Sequence, residues 1–360
     1  MSTLTMPGID IVFKQAASTA LARSQKGTVA LILRDAALAE TSYTLTAPSQ
    51  LPAAMGTENQ AAVRRAFLGY VKPPKKILVY VVDKEDAITA GCAALNWLST
   101  QQFDYLAGPA DLTAAEAGVL KAWVVTQRSD NHAAYKAVLP NLAADNEAMV
   151  NFTASGIDIG EADKLTAAAY CGRIAGLLAG TPMSISATYA PLPEVRDVER
   201  LTQAALDAAV GTGQLVLFWD GEKVKTGRAV NSLTTVTGKS DEWKKIKIVE
   251  LLDMVQHDLR GAIEDSYIGK YANTYENKLL LVTAITDYLR SLARDGLILE
   301  DFTCGIDVDA QQAWLESQGT STVDMSEQEI KEAGTGTRVF LAVVIHPVDA
   351  IEDVSVGITL

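Results

Sequence analysis

Three histidines, three cysteines and a few paired carboxylates are the residues of this 360-residue chain that could do chemistry. Their spacing supports little of it. His132, His257 and His346 share no ligand spacing and no H-E-x-x-H, so they suit surface or packing roles better than a metal site. Cys92, Cys171 and Cys304 are far apart, odd in number and free of any C-x-x-C pattern, which suits reduced core residues and assembly in the cytoplasm. Asp83 and Glu85 follow an apolar strand and could in principle form an acid/base pair. Charges just past a strand more often turn the chain toward solvent.

Phosphate and nucleophile motifs are equally thin. Asp83, Lys84 and Glu85 stand where a dinucleotide-binding fold needs G-x-G-x-x-G, and an acidic turn repels phosphate. "GTGTR" at Gly334 to Arg338 lacks the Lys and Ser/Thr of a P-loop and reads as a turn. "GIDVDAQQ" begins like a calcium loop but lacks the third acidic ligand, the Gly and the terminal Glu. "TPMSISATY" has serines without G-x-S-x-G, and the five Trp residues are too scattered for a stacking platform. The expectation is no catalytic, cofactor-binding or metal-binding residue, no cofactor and no enzyme activity.

Composition narrows the class. A hydrophobic content of 48% and a mean hydropathy of +0.11 can supply real cores, and the length suits two or three domains. The net charge of -13 and pI near 4.8 argue against wrapping nucleic acid or lying on an anionic membrane. The densest basic stretch is "WKKIKIVELL", whose lysines suit the solvated side of an amphipathic helix more than a nucleic-acid site. The start "MSTLTMPGIDIVF" lacks a signal peptide's charged and apolar regions. The most apolar helix, "TAAAYCGRIAGLLAG", is interrupted by Arg173 and too short to span a bilayer, so no membrane insertion is expected.

The elements fall into four pieces. Residues 1–25 alternate Ile9, Ile11 and Phe13 with Asp10, Val12 and Lys14 before small residues take over, an extended arm. From Lys26, "KGTVALILRD" and "TSYTLTAP" are strands and "TENQAAVRRAFLGY" a helix with its N-cap at Thr57. "VKPPKK" is a linker. "KILVYVVD", "DAITAGCAALNWLSTQQF", "DYLAGP", "TAAEAGVLKAWVVTQRSD", "YKAVLP" and "AMVNFT" then alternate strand and helix, the signature of a parallel α/β layer. The helix "GEADKLTAAAYCGRIAGLLAG" closes that unit at about residue 195. Residues 196–346 read as α+β: the helix "DVERLTQAALDAAV", a hairpin turning at Asp220 and Gly221, two long helices each ending at Gly, the acidic helix "SEQEIKEAG" and closing strands.

The chain ends on "RVFLAVVIHPVDAIEDVSVGITL". Ile351, Val354, Val356 and Ile358 settle into alternation after Val354, the pattern of a half-buried strand. Such a strand needs a partner edge, and the pattern alone leaves open whether its own chain or another supplies it.

Taken in order, "FDYLAGP", "KAWVVTQRSDNHAAYKAVLPNLAADNEAMVNF", "YCGRIAGLLAGTPMSISATYAPLPEV", "GRAVNSLTT" and "IEDSYIGKYANT" resemble the contractile tail sheath proteins of phages. The nearest subgroup is that of defective prophages and phage-tail-like bacteriocins of Gram-positive bacteria. The resemblance runs from about Pro7 to the C-terminus. It implies a multi-domain fold, α/β plus α+β, with N- and C-terminal arms that add strands to neighbouring subunits. It also implies an outer α/β domain at 26–195 (leading strands and helix at 26–74, strand–helix repeats at 75–195), an inner α+β domain at 196–346 and linking arms at 1–25 and 347–360.

The implied function is a structural one. Subunits would form six-fold rings stacked helically around an inner tail tube, with baseplate and tail terminator proteins as further partners, and contraction would drive the tube through a target envelope. Assembly would take place in the bacterial host's cytoplasm, with release on lysis. The matching strand-exchange positions are Ile9, Ile11 and Phe13 at one end and Ile351, Val354, Val356 and Ile358 at the other. Flexible connectors are expected at "QAASTALARSQ" and around "HPVDA", with Pro347 setting a bend. Each exchanged backbone hydrogen bond contributes about 0.5–1.5 kcal/mol and each buried apolar side chain about 1.5–3 kcal/mol, against an ordering cost of about 1–2 kcal/mol per residue. One arm alone is therefore marginal, whereas two per subunit repeated around a ring gain from effective concentration. Glu327, Glu329 and Glu332 are candidates for facing basic groups on the tube, against a plain solvated helix face. The competing readings are a different particle component, such as a tube or baseplate protein, and a small-molecule-binding α/β enzyme.

Overall fold

The computed structural model describes residues 21, 26–36, 38 and 40–359. Two compact units emerge, one built on Ser24–His257 with Pro347–Leu360 and the other on Asp258–His346. The expected N-terminal arm, with Ile9, Ile11 and Phe13, lies outside the described residues.

The first unit is built around a seven-stranded sheet in the order β2-β3-β1-β4-β5-β6-β7. Its strands are β1 (Thr28–Asp35), β2 (Ser42–Leu45), β3 (Lys76–Asp83), β4 (Tyr105–Ala107), β5 (Lys136–Pro140), β6 (Met149–Phe152) and β7 (Gln214–Leu215). All neighbours run parallel except β2, which pairs antiparallel with β3 at one edge. Its helices are α1 (Thr57–Phe67), α2 (Ala93–Leu98), α3 (Ala114–Asp130), α4 (Ala167–Ala179) and α5 (Gln203–Gly211). The continuous apolar runs of β1 and β3 follow from burial on both faces. Val29, Leu31 and Leu33 share one core with Val63 and Phe67 of α1 and Ile174 and Leu178 of α4, while Ala30 and Ile32 share another with Leu95 of α2 and Leu120 and Val124 of α3.

Helix α4 fits this layer because its glycines let backbones meet. A methyl group on Gly176 would stand 2.0 Å from the carbonyl oxygen of Ala66 in α1. Its one charge is neutralised rather than exposed: Arg173 donates to Glu194 at 2.5 Å and to the carbonyl of Gly69 at 2.7 Å.

β8 (Leu217–Trp219) and β9 (Val224–Thr226) form the expected hairpin. Asp220 accepts from the backbone of Glu222 and Lys223, both at 2.8 Å, and Gly221 takes φ +108°. The units divide between His257 and Asp258, not near residue 195, because β7 completes the sheet and residues 214–257 stay with it. α1 also starts differently, with Gly56 as its N-cap and Thr57 as the first helical residue. Of "DAITAGCAALNWLSTQQF" only α2 is helical.

Helix α6 (Ile246–Ser266) starts in the first unit and ends in the second. The second unit adds α7 (Tyr275–Arg294), β10 (Thr303–Ile306), α8 (Val308–Ser317), α9 (Glu327–Glu332) and β11 (Leu341–Val344). Tyr288 of α7 donates to Asp258 at 2.7 Å in the interior. The calcium-loop fragment "GIDVDAQQ" is the start of α8, where the Asp307 side chain accepts from the Ala310 amide at 2.9 Å as an N-cap. β10 and β11 pair with each other antiparallel as a separate two-stranded ribbon.

The expected terminal strand, Ile351 to Ile358, is not a strand in the single chain. Among the described residues no main-chain hydrogen bond joins 351–359 to any other segment. A strand pattern without a partner edge forms no ladder.

Gly176→Ala is expected to lower the unfolding free energy of the first unit by about 1–3 kcal/mol, through overpacking of α4 on α1. Gly118→Ala in α3, where nothing lies within 4 Å of the added carbon, is expected to be neutral or to stabilise by about 0.5–1 kcal/mol. Urea unfolding of the two variants against the parent checks the contrast.

Candidate subunit-linking site

The chain passes back to the first unit at Pro347, and the next six residues are held there mostly by charge. Asp349 pairs with Lys245, and the Lys247 ammonium donates to the carbonyl of Val348 at 2.8 Å. Glu352 accepts from Thr188 Oγ1 at 2.5 Å and Ser186 Oγ at 3.2 Å, and its second carboxylate oxygen lies 3.5 Å from Arg228 Nε. Arg228 also pairs with Asp353. Thr188 Oγ1 accepts from the Ala229 amide at 2.9 Å, tying the hydroxyl turn to the Arg228 segment. Burial pulls the Lys247 pKa below the usual lysine range, while Asp349 and Glu352 oppose that shift.

Beyond Asp353, among the described residues, no hydrogen bond or ion pair holds the tail. Ile351, Val354, Val356 and Ile358 are 90%, 73%, 74% and 83% exposed, values that leave most of their apolar surface uncovered. Val354, Val356 and Ile358 have the spacing that would put them on one face of a strand. Four large aliphatic side chains within eight residues at such exposure are an interaction signal rather than scattered surface residues.

The basic half of the root is positioned by α6, which is itself pinned to the sheet. Following Lys247 at intervals of three residues, Glu250 and Asp253 meet the amino-terminal ends of the interior strands β4 and β5. Glu250 accepts from Lys26 and from the hydroxyl of Tyr105. Asp253 accepts from Lys136 at 3.0 Å and from two nitrogens of Arg128 at 2.7 and 3.0 Å. Burial would raise the Asp253 pKa, but the Lys136 charge and the Arg128 hydrogen bonds outweigh it and hold the carboxyl below the usual range. For Lys26 burial wins, lowering its pKa despite Glu250, and the same burial pushes the Tyr105 hydroxyl well up.

The place where an open α/β sheet usually takes a ligand is the crevice at the strands' carboxyl ends, where the order reverses. Here that is beside β1, and the chain's own side chains meet in it. Arg34 pairs with Glu116 and with Asp111 at 2.7 Å, and Glu116 accepts from the Ile88 amide at 2.9 Å. Asp35 accepts from the Gly56 amide at 2.7 Å and from Asn59 at 2.9 Å. Such an arrangement neutralises the guanidinium and leaves the carboxylates engaged in holding loops together.

The residues singled out by sequence are dispersed. His132, His257 and His346 are all exposed, and His346 lies 3.8 Å from Asp301. Asp83 ends β3 and Glu85 sits in the turn after it. Cys171 is buried, with its thiol pKa pushed above the usual range by burial, while Cys92 and Cys304 are half-buried. "GTGTR" is a turn, with Gly336 at φ +61° and the Arg338 amide donating to Thr335. Among the described residues no three His, Cys, Asp or Glu side chains are grouped to hold a metal ion, and no helix is long and apolar enough to cross a membrane. In α9, Glu329 is engaged in a capping box with Ser326, Glu327 lies 3.6 Å from Lys331, and Glu332 accepts from Gln328 at 2.5 Å.

Three segments took roles that their local sequence does not disclose. Lys245 and Lys247 of "WKKIKIVELL", Ser186 and Thr188 of "TPMSISATY", and Arg228 of "GRAVNSLTT" converge on the root of the tail. The acids of "VDAIEDV" were the available signal, but charge pairing over more than 100 residues leaves no periodicity to read. The stretch around "HPVDA", expected as a flexible connector, is instead pinned from Val348 onward by those ion pairs.

Residues 238–360 match the family described as phage tail sheath C-terminal domain. Over 358 residues, 98% of each chain, the sequence is 34% identical to the tail sheath protein of Clostridium phage phiCD119. The fold is similar to the crystal structure of a sheath tail protein from Desulfitobacterium hafniense, with TM-score 0.66 and 19% identity over 83% of this chain and 94% of that one. It is also similar to the helical sheath of the anti-feeding prophage in its contracted state, with TM-score 0.71 and 15% identity over 99% of both chains.

Asp253→Asn is expected to cost about 3–5 kcal/mol at neutral pH, because Lys136 and Arg128 lose the charge that compensates their burial. Since the folded-state pKa is depressed, the ionised carboxylate's contribution is fully present above the unfolded value near 4 and is lost as pH falls through the folded value. Unfolding curves of parent and variant at neutral pH and at about pH 3 should therefore differ less in acid.

Proposed function

The chain belongs to the phage tail sheath family and is a sheath protein of contractile tail systems, and from that premise we propose how its subunits join. Copies associate into six-fold rings, stacked helically around an inner tail tube and ending at baseplate and tail terminator proteins. Contraction drives the tube through a target envelope. Subunits assemble in the host bacterium's cytoplasm and leave with the particle on lysis. The role is structural rather than catalytic, in keeping with a switch-point crevice whose Arg34 is neutralised by Asp111 and Glu116.

The observation that carries the linking model is the tail itself: an alternating apolar segment, nearly fully exposed, beginning where the ionic root ends. A strand of that kind is completed by addition to another sheet's edge. The β10–β11 ribbon is the receiver we favour. It has only two strands and, among the described residues, an unpaired edge on each side. Its β11 residues alternate between half-buried and exposed, with Val344 48% exposed. Two edges fit two incoming arms, the C-terminal one through Val354, Val356 and Ile358, with Ile351 at its root, and the N-terminal one through Ile9, Ile11 and Phe13. The 26–195 region, with the rest of its unit, would lie outside and the second unit inside. There a tube-facing role for α9 would rest on Glu327 and Glu332, since Glu329 spends its carboxylate on capping.

Removing residues 354–360 is expected to leave circular dichroism unchanged and to cut the yield of hollow tubes in negative-stain microscopy by at least ~10-fold, as each lost link removes a multivalent contact. Val356→Glu should act in the same direction. Undiminished tubes from both variants would remove the tail from the linking model.

A further inference from the structure

We propose that Arg228, Lys245 and Lys247, with Ser186 and Thr188, are positioning residues for the C-terminal tail, and that they form a releasable clamp that sets the tail's reach. They hold Val348–Asp353 against the tail's own subunit, so the linking segment begins at Val354 and not at Pro347. The importance of reach rests on the sheath reading; the clamp itself does not.

The contacts come from separate parts of the chain. Two bases, Arg228 and Lys245, pair with three acids, Asp349, Glu352 and Asp353, and a third, Lys247, donates to the carbonyl of Val348. The bases come from the segment after β9, the residue just before α6 and the first turn of α6, and the hydroxyls from the 186–188 turn. The clamp's exposure distinguishes it from the Glu250 and Asp253 network one turn further along α6. There Lys136 and Asp253 are both 6% exposed, whereas Lys245 and Asp349 are 32% and 29% exposed and Arg228 and Asp353 are 37% and 83% exposed; of the three clamp acids Glu352 alone, at 7%, is buried. Exposed pairs are individually weak and screened by salt. The second oxygen of Glu352 is buried with no hydrogen bond, only the Arg228 guanidinium at 3.5 Å, so this contact is looser than those of Asp253. The inner network fixes α6, and the outer one holds the tail reversibly.

The consequence is a difference in length. Val354–Leu360 is seven residues and Pro347–Leu360 fourteen, so full extension spans roughly 25 Å with the clamp closed and roughly 50 Å with it open. A subunit that moves relative to its neighbour can therefore keep its link by releasing the root instead of the strand.

Limited proteolysis of the unassembled full-length protein with a Glu-specific protease tests this, with the rate of cleavage after Glu352 as the readout. Lys245→Glu and Asp349→Lys are each expected to speed that cleavage by ~3- to 10-fold, and the double variant to return toward the parent rate. Raising salt from about 0.05 to about 1 M should speed the same cleavage in the parent, relative to an unstructured control peptide. Unchanged cleavage in the folded single variants and in the salt series overturns the clamp, as does a double variant as fast as the singles. If Lys245→Glu fails to fold, the parent's salt series decides alone. Tube formation by the parent is scored separately. Tubes with a salt-indifferent root remove the clamp and spare the sheath reading, while a salt-sensitive root without tubes does the reverse.

Discussion

A strand can be written into a sequence without the chain having anywhere to put it. The tail after Asp353 has the alternation of a strand and three aliphatic residues on what would be one face, yet among the described residues it pairs with no edge. Its peptide groups can be satisfied by water, but its apolar surface cannot be hidden there. The rest of the molecule makes sense as a device for presenting that segment. A double-faced α/β body supplies rigidity, α6 fastens to it through buried charge, and the beginning of α6 holds the root from which the tail leaves.

Charge is used inward. A protein of net charge -13 has few bases to spare, and the prominent ones meet acids of the same chain: Lys26 with Glu250, Lys136 and Arg128 with Asp253, Arg34 with Glu116, Lys245 with Asp349. This gives the most basic stretch of sequence a structural use instead of a nucleic-acid one. It also separates two kinds of joint. Fully buried pairs are costly to break because the partner is stranded; half-exposed pairs open at little cost.

Much of the fold is legible in the sequence where the signal is local. The β-branched runs of β1 and β3 announce strands buried on both faces, the alternation of strands and helices announces the parallel layer, and Asp220-Gly221 announces its hairpin. Less was legible where distant partners decide. β7 is only two residues long and joins the sheet by pairing with β6, which moves the division between units some 60 residues downstream of the composition change. β10 and α8 escaped because "TCGI" is a short strand and the acids before "AQQAWLES" resemble a metal loop until Asp307 is seen to cap a helix. For the linking site, the exposed apolar positions could be read directly. Their anchorage could not, since Ser186, Thr188, Arg228, Lys245 and Lys247 meet the tail only through the fold.

The central claim is that the segment after Asp353 completes a sheet in another subunit. A cryo-electron microscopy reconstruction of tubes assembled from the full-length chain tests it most directly, by following the main chain out of the clamp. The account predicts that residues 354–359 run as a strand along an edge of a neighbour's β10–β11 ribbon, with Val354, Val356 and Ile358 covered. A tail that folds back on its own subunit, or that stays exposed while the rings hold together through other surfaces, would contradict it.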